Sequence, residues 1–345
     1  MLKVLKWFFG GIGGIMVILV LVYYFGPKIK VKNMNGTLPV VNNNLIELEK
    51  EIEKSEAAII GLKENNEARI IWADEQKKEK TPYSIVYLHG FSASQGEGEP
   101  VHMEVAKYYG CNLYLSRLEG HGIQEEEVFF NLKPESFLAS AKKAVAIGKE
   151  IGEKVIVMGT STGGMFGLYL AAENPEIAGL VLYSPLVDFY DPNAKLLAAQ
   201  WGLQVGRVVM GSDYAGFTPK YEIQENYWST KYRIEGLVTL SALVTQLMKP
   251  EVFAKIKCPL FLGYYYKNEK LQDQVVSVGA MREMFGMLGT PDSLKVNMPF
   301  PEAGEHVIAS KYVSKNWQEV RDSTMVFLGE TMNLQPVDEL PYDVK

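Results

Sequence analysis

Ser161 stands inside the run GTSTGG, residues 159–164, with glycines at 159, 163 and 164. A short apolar run, 154–158, precedes it, and a helix-like stretch, 165–173, follows. That order places a serine on a sharp turn between strand and helix, where glycines let neighbouring backbone approach without a Cβ clash. Such a serine is a candidate nucleophile. A bare GxSxG also occurs as a structural turn, but the flanking strand and helix favour the chemical role. Because a hydroxyl is a weak nucleophile at neutral pH, a base must lie within hydrogen-bond reach.

Only four histidines are available: His89, His102, His121 and His306. His306, in AGEHVIAS, follows the last expected strand (294–298) and precedes the terminal helix, the position that the chain order nucleophile, acid, histidine assigns to the base. The alternative for it is a solvated loop histidine. His89 ends the expected strand 85–88 and opens HGF, a loop whose backbone should face a developing oxyanion. The expected donors are the N–H groups of Phe91 and of Thr162, the residue after the nucleophile. His89 itself is expected to orient that loop, and His102, in a helical stretch, to be structural. A carboxylate must accept the other ring N–H of His306, and it should follow the strand 260–265 and precede the histidine. Asp273, Glu269 and, more weakly, Asp292 meet that condition; for each the alternative is an ordinary surface carboxylate.

Elements able to position these residues are visible around them. Short apolar or β-rich runs at 69–73, 85–88, 112–116, 154–158 and 179–183 alternate with helix-like stretches such as 101–109 and 135–150. This alternation predicts an α/β domain with a mainly parallel sheet covered by helices on both faces. It breaks at about 190–257, where a mostly helical segment precedes the strand 260–265 and reads as an inserted cap. Within the cap Leu237, Leu240, Val244, Leu247 and Met248 form one apolar stripe. Upstream, Leu45, Leu48, Ile52, Ile59 and Leu62 predict an amphipathic helix over 45–62, packed on the domain rather than in a coiled coil.

The chain has 345 residues, 47% hydrophobic and 22% charged, with a net charge of −6. That composition suits a large globular core, and the absence of a clustered basic block excludes nucleic acid as the expected partner. Cys111 and Cys258 match no metal spacing and stand before strands on opposite sides of the sheet, which predicts two free thiols. No metal and no cofactor is expected. Residues 7–26 carry no charge over twenty positions, long enough at helical rise to cross about 30 Å of hydrocarbon. The aromatic end at Tyr23, Tyr24 and Phe25 favours a retained single-pass anchor over a cleaved signal peptide. Flanking lysines tie, so the six-residue leader is what points the bulk of the chain outside the cytoplasm.

LHGF, the stretch RLEGHG at 117–122, GTSTGG and the late histidine together resemble α/β-hydrolases of the monoacylglycerol-lipase and serine-aminopeptidase type. Leu118 and Glu119 depart from that family's usual R-G-H-G wording, and His121 is by resemblance a loop-ordering residue. The cap sits where the family inserts its lid. In these hydrolases the acid is soon followed by an apolar pair opening the next helix, which fits Asp273 before Val275 and Val276; the longer KNEKLQ loop keeps Glu269 open. The expected function is therefore hydrolysis of carboxylic esters, acyl or lipid-like, by a membrane-anchored serine hydrolase. A peptide or amide hydrolase is the alternative, with Glu222, Glu225 or Glu235 holding a substrate amine, and a non-catalytic hydrolase-fold scaffold is the other. The expected organisation is an anchor at 1–28, an amphipathic linker at 29–66, a catalytic domain at 67–330 and a tail at 331–345.

Overall fold

A computed structural model of the chain describes residues 13–14, 16–32 and 34–337. The apolar runs become a seven-stranded sheet in which β1 (Arg69–Ile71), β2 (Thr81–Leu88), β3 (Asn112–Leu115), β4 (Gly152–Thr160) and β5 (Ile177–Tyr183) are joined by two later strands. Those are β8 (Leu260–Tyr264) and β11 (Lys295–Pro299). The spatial order is β1-β3-β2-β4-β5-β8-β11, with only β1 antiparallel to its neighbour. The central strands are apolar on both faces because helices cover both, so Ile85–Leu88 and Val155–Met158 are buried without alternation.

Helices α2 (Val101–Tyr108) and α8 (Trp317–Val326) lie together, and α3 (Pro134–Ile151) packs with α4 (Thr162–Glu173). Two cores result. One holds Phe137, Val145, Val157 and Phe166; the other holds Tyr87, Met158, Phe261 and Phe300. Each large apolar side chain so buried contributes about 1.5–3 kcal/mol over its exposed state.

Chain order reverses direction across the sheet between β2 and β4: β3 lies on one side of β2 and β4 on the other. In open parallel sheets the crevice at such a switch, outside the carboxyl ends of the strands, is where ligands bind. His89 follows β2 and Ser161 follows β4, so the two motifs meet at that crevice.

Helix α1 (Leu45–Ala57) begins where Asn44 accepts the N–H groups of Ile46 and Glu47, both at 3.1 Å. It buries Leu48, Ile52 and Glu56 against the domain, as an amphipathic helix should, and is not part of a coiled coil. It stops five residues before the expected end, because Leu62 is recruited to a bridge with Ile123, and Gln124 N–H donates to the Gly61 carbonyl at 2.7 Å. Tertiary pairing wins over helical periodicity there.

The cap also departs from expectation. Alongside α5 (Gly202–Met210), α6 (Ile223–Tyr227) and α7 (Ile234–Leu247) it contains an antiparallel pair, β6 (Tyr214–Gly216) and β7 (Lys231–Arg233). The stripe Leu240, Val244 and Leu247 is buried in the main core, where α7 packs on α3 and α4, so those residues seal the sheet's covering layer.

The expected membrane segment, 7–26, begins in residues outside those described. Its described part is helical over 16–24, with side chains from Met16 to Phe25 between 49% and 79% exposed. Among the described residues no helix is long and apolar enough to cross a membrane. Of the expected tail, Val337 N–H donates to Tyr108 O at 3.0 Å and Leu334 is buried; residues 338–345 lie outside the described ones. Cys111 and Cys258 are both free.

Candidate active site

At the end of β4 the chain turns so sharply that Ser161 takes φ +53°, ψ −114°, a region that a residue with a side chain enters only when its surroundings impose it. Three backbone bonds do so. Ser161 N–H donates to Tyr183 O at 3.0 Å, and Ser161 O accepts Met165 N–H at 3.0 Å and Leu186 N–H at 2.9 Å. The turn also requires glycine at 163, where a Cβ would drive into the Leu88 carbonyl oxygen. Ser161 is 7% exposed.

His306 arrives on the loop after β11, its carbonyl held by Ser184 Oγ at 2.9 Å. Its Nδ1 lies 2.6 Å from Asp273 Oδ2. The other carboxylate oxygen of Asp273 accepts Val275 N–H at 2.8 Å and Val276 N–H at 3.1 Å, so both oxygens are engaged. Burial alone would lower the His306 pKa, but the Asp273 carboxylate raises it above the ordinary value. The same pairing outweighs burial at Asp273 and holds its carboxyl below the usual range. Among the described residues no hydrogen bond joins Ser161 Oγ to His306; catalytic bonds of this kind are often long until substrate enters.

Of the three carboxylates weighed from the sequence, only Asp273 meets the histidine. The extra loop length is absorbed by a hairpin, β9 (Tyr266–Asn268) with β10 (Leu271–Gln272), and Asp273 N–H returns to Tyr265 O at 3.1 Å. Glu269 sits exposed in that hairpin, bonded to Tyr266 Oη at 2.9 Å. Asp292 is exposed and pairs with Lys295 at 2.9 Å.

The remaining histidines are neutral. His89 accepts Leu118 N–H on Nε2 at 3.0 Å, which puts its proton on Nδ1, 2.9 Å from Gly90 O. It thereby ties HGF to the RLEGHG loop, and burial lowers its pKa to about 4. His121 Nδ1 lies 2.8 Å from Glu119 O and its ring stacks on Phe137 with centroids 5.0 Å apart; burial holds it well below its ordinary value. His102 Nε2 lies 2.9 Å from Gln95 O, and burial lowers it to about 4. The N–H groups of Phe91 and Thr162, both expected to face an oxyanion, have no acceptor among the described residues. An unpaired N–H beside a buried serine is a site for an incoming oxygen.

Phe91, Phe129 and Tyr232 form an aromatic wall, with Phe91–Phe129 centroids 4.7 Å apart and Phe91–Tyr232 5.2 Å apart. A cleft of about 310 Å³ opens between the cap and the segment after the N-terminal helix, lined by Lys28, Ile29, Phe130, Leu203, Glu235 and Val238. The cap glutamates do not converge on the serine. Glu235 is held by Arg207 at 2.8 Å and Arg233 at 3.0 Å, while Glu222 and Glu225 are exposed. Among the described residues no cluster could hold a metal ion.

One buried carboxyl was not singled out from the sequence. Glu97, six residues past Phe91, accepts Gly90 N–H at 2.6 Å, and burial raises its pKa to about 7. An acid in QGEGEP reads as a solvated turn; only tertiary packing buries it.

Residues 80–290 match the model of the family described as serine aminopeptidase, S33. The matched stretch takes in HGF, GTSTGG, the cap and Asp273. Among curated proteins the chain is similar to the thermostable monoacylglycerol lipase of Bacillus sp. (strain H-257), with 31% identity over 110 residues. That match covers 32% of this chain and 43% of the relative, so it spans less than half of the relative's length. A structure of the metagenome-derived lipolytic enzymes LipS and LipT superimposes with a TM-score of 0.59 at 15% identity, covering 79% of this chain and 99% of the other. The monoacylglycerol lipase of Paleococcus ferrophilus gives 0.53 at 19% identity, covering 73% and 97%. At such identities these two structures show a shared fold.

Proposed function

The chain belongs to the serine aminopeptidase S33 family of α/β-hydrolase fold, and from that premise we propose that it is a serine hydrolase of carboxylic esters. Ser161 Oγ attacks the ester carbonyl while His306 Nε2 takes its proton, and Asp273 holds the Nδ1–H and stabilises the imidazolium. Phe91 N–H and Thr162 N–H receive the oxyanion. The tetrahedral species collapses as His306 returns the proton to the departing alcohol, leaving an acyl-enzyme. Water, activated by the same histidine, then releases the acid and frees Ser161. The 2.6 Å Asp273–His306 bond beside a serine at a strained elbow carries this reading.

Apolar acyl groups suit the site, since Phe91, Phe129 and Tyr232 present an aromatic wall beside the HGF loop. Esters are preferred to peptides because none of the cap glutamates is free and buried where a substrate amine would need it. The N-terminal helix anchors the protein to a membrane in a single pass, with the catalytic domain outside the cytoplasm. Its end is fastened to the cap: Trp201 donates through Nε1 to Val22 O at 3.0 Å and through its backbone N–H to Pro27 O at 2.7 Å. A tether joined to the cap in this way would hold the substrate entrance near lipid.

A fluorophosphonate probe tests the chemistry. Labelling of the intact protein but not of Ser161→Ala is expected, together with turnover of nitrophenyl esters that depends on acyl length. No labelling of folded wild-type protein would favour a non-catalytic hydrolase fold.

A further inference from the structure

The Ser161, His306 and Asp273 arrangement leaves Glu97 unused. Its short 3₁₀ turn, Gln95–Gly98, is entirely buried. Glu97 Oε2 accepts Gly90 N–H at 2.6 Å and lies 3.4 Å from Tyr87 Oη. Tyr87 Oη in turn meets Thr160 Oγ1 at 2.9 Å, one residue before the nucleophile. The carboxyl therefore links the HGF loop to the elbow. A Cβ on Gly90 would lie 2.7 Å from Glu97 Oε1 and 3.2 Å from Ser161 Cβ. Only the bare backbone of a glycine separates the acid from the nucleophile.

Burying a carboxylate is costly unless a cation or several donors compensate. Among the described residues Glu97 makes no ion pair with Lys or Arg. The groups facing it are Tyr87 from β2, Tyr227 from the cap across Gly96, His102 packed against Tyr87, and His306. His306, itself acted on by Asp273 and Glu305, is the one that can become a cation in the neutral range.

We propose that Glu97 is a positioning residue of the hydrolytic site: it fixes the Gly90 N–H so that the next N–H, of Phe91, aims at the oxyanion, and it presents His306 with a buried negative charge in addition to Asp273 and Glu305. This rests on the proposed ester hydrolysis. Burial raises its carboxyl to about 7, opposed by the Gly90 N–H and by His306. Its charge therefore changes in the range where the base must lose its proton, and the ionised form favours the imidazolium.

The test compares Glu97→Gln and Glu97→Ala with wild type in the full-length protein. Nuclear magnetic resonance follows the ring of His306, since the other three histidines stay neutral above pH 6. Glu97→Gln keeps the shape and an oxygen for Gly90 N–H but removes the charge, so the His306 midpoint and the acid limb of kcat/KM should both move to lower pH. Glu97→Ala also frees the loop, so kcat should fall by roughly tenfold or more, short of the 10²–10³ loss seen when an oxyanion donor is removed outright, with KM little changed. An unmoved His306 midpoint in Glu97→Gln overturns the proposal whether or not any ester is hydrolysed. A folded Glu97→Ala with wild-type kcat overturns it as well, and if that variant does not fold the isosteric one decides. A shifted midpoint in a protein that hydrolyses no ester and takes no phosphonate supports the electrostatic link and sinks only the proposed activity.

Discussion

Ser161 and His306 come from loops 145 positions apart in number, and each is held by backbone bonds of its own rather than by the other. Ser161→Ala should therefore remove nearly all hydrolysis while leaving the melting temperature within a degree or two, because its Oγ makes no bond that the fold needs. Turnover at the wild-type level would sink the proposed mechanism. Asp273→Asn keeps the volume but cannot accept from Nδ1–H with the same charge. It should lower kcat by orders of magnitude, up to about 10⁴-fold if the wrong histidine tautomer is trapped. Glu269→Gln, altering an exposed side chain in the β9–β10 hairpin, should stay close to wild type; steady-state kinetics of the pair checks the assignment. The serine was legible because GTSTGG carries its own turn geometry, and the histidine because chain order leaves one candidate. The acid was legible only as a choice among three carboxylates, since sequence distance does not say which loop residue folds back. Glu97 was invisible for the same reason in stronger form: nothing local marks a carboxylate that the rest of the molecule buries.

The inner strands of the sheet were signalled by short apolar or β-rich runs, because a strand buried on both faces is nearly continuous in apolar residues. What an apolar run does not reveal is where a helix stops when a bridge competes for its last residues, as Leu62 and Ile123 do. Nor does it reveal a two-stranded pair such as β6 with β7 inside a mostly helical cap. At the elbow the element depends on one atom's absence. Gly163→Ala places a methyl against the Leu88 carbonyl and should cost at least the 1–3 kcal/mol typical of overpacking. Thermal melts should show a clear fall, and kcat should fall too because β2 carries the HGF loop. A Gly163→Ala protein as stable as wild type would mean that the elbow is looser than its bonds imply.

At the scale of the whole molecule, three buried neutral histidines tie stability to pH. His89 and His102 have folded pKa values near 4, and His121 is also lowered, against about 6.5 in the unfolded chain. Between those values the unfolded state binds more protons, so stability is complete above about pH 6.5 and is lost as pH falls toward 4. Glu97 and His306 act in the opposite sense, as their raised folded pKa values favour the native state as pH falls, but they are two groups against three. Melting temperatures should therefore drop between pH 7.5 and 5; a flat profile would mean that the histidines are not held neutral by burial. Removing residues through 26 should yield a water-soluble protein still active on short esters, because among the described residues none of the groups around Ser161 comes from that segment. Fractionation and turnover together check this, and a folded, inactive truncation would mean that the contact with Trp201 shapes the site. The sequence by itself determined the α/β class and singled out Ser161, His306 and the HGF loop as candidates, because each is marked by contiguous residues or by chain order. Tertiary structure alone decided which acid meets His306, how the cap packs and that Glu97 lies beside the nucleophile. Those are relations between segments far apart in the chain, set by which strands end side by side at the switch between β2 and β4 and by which loops fold over them.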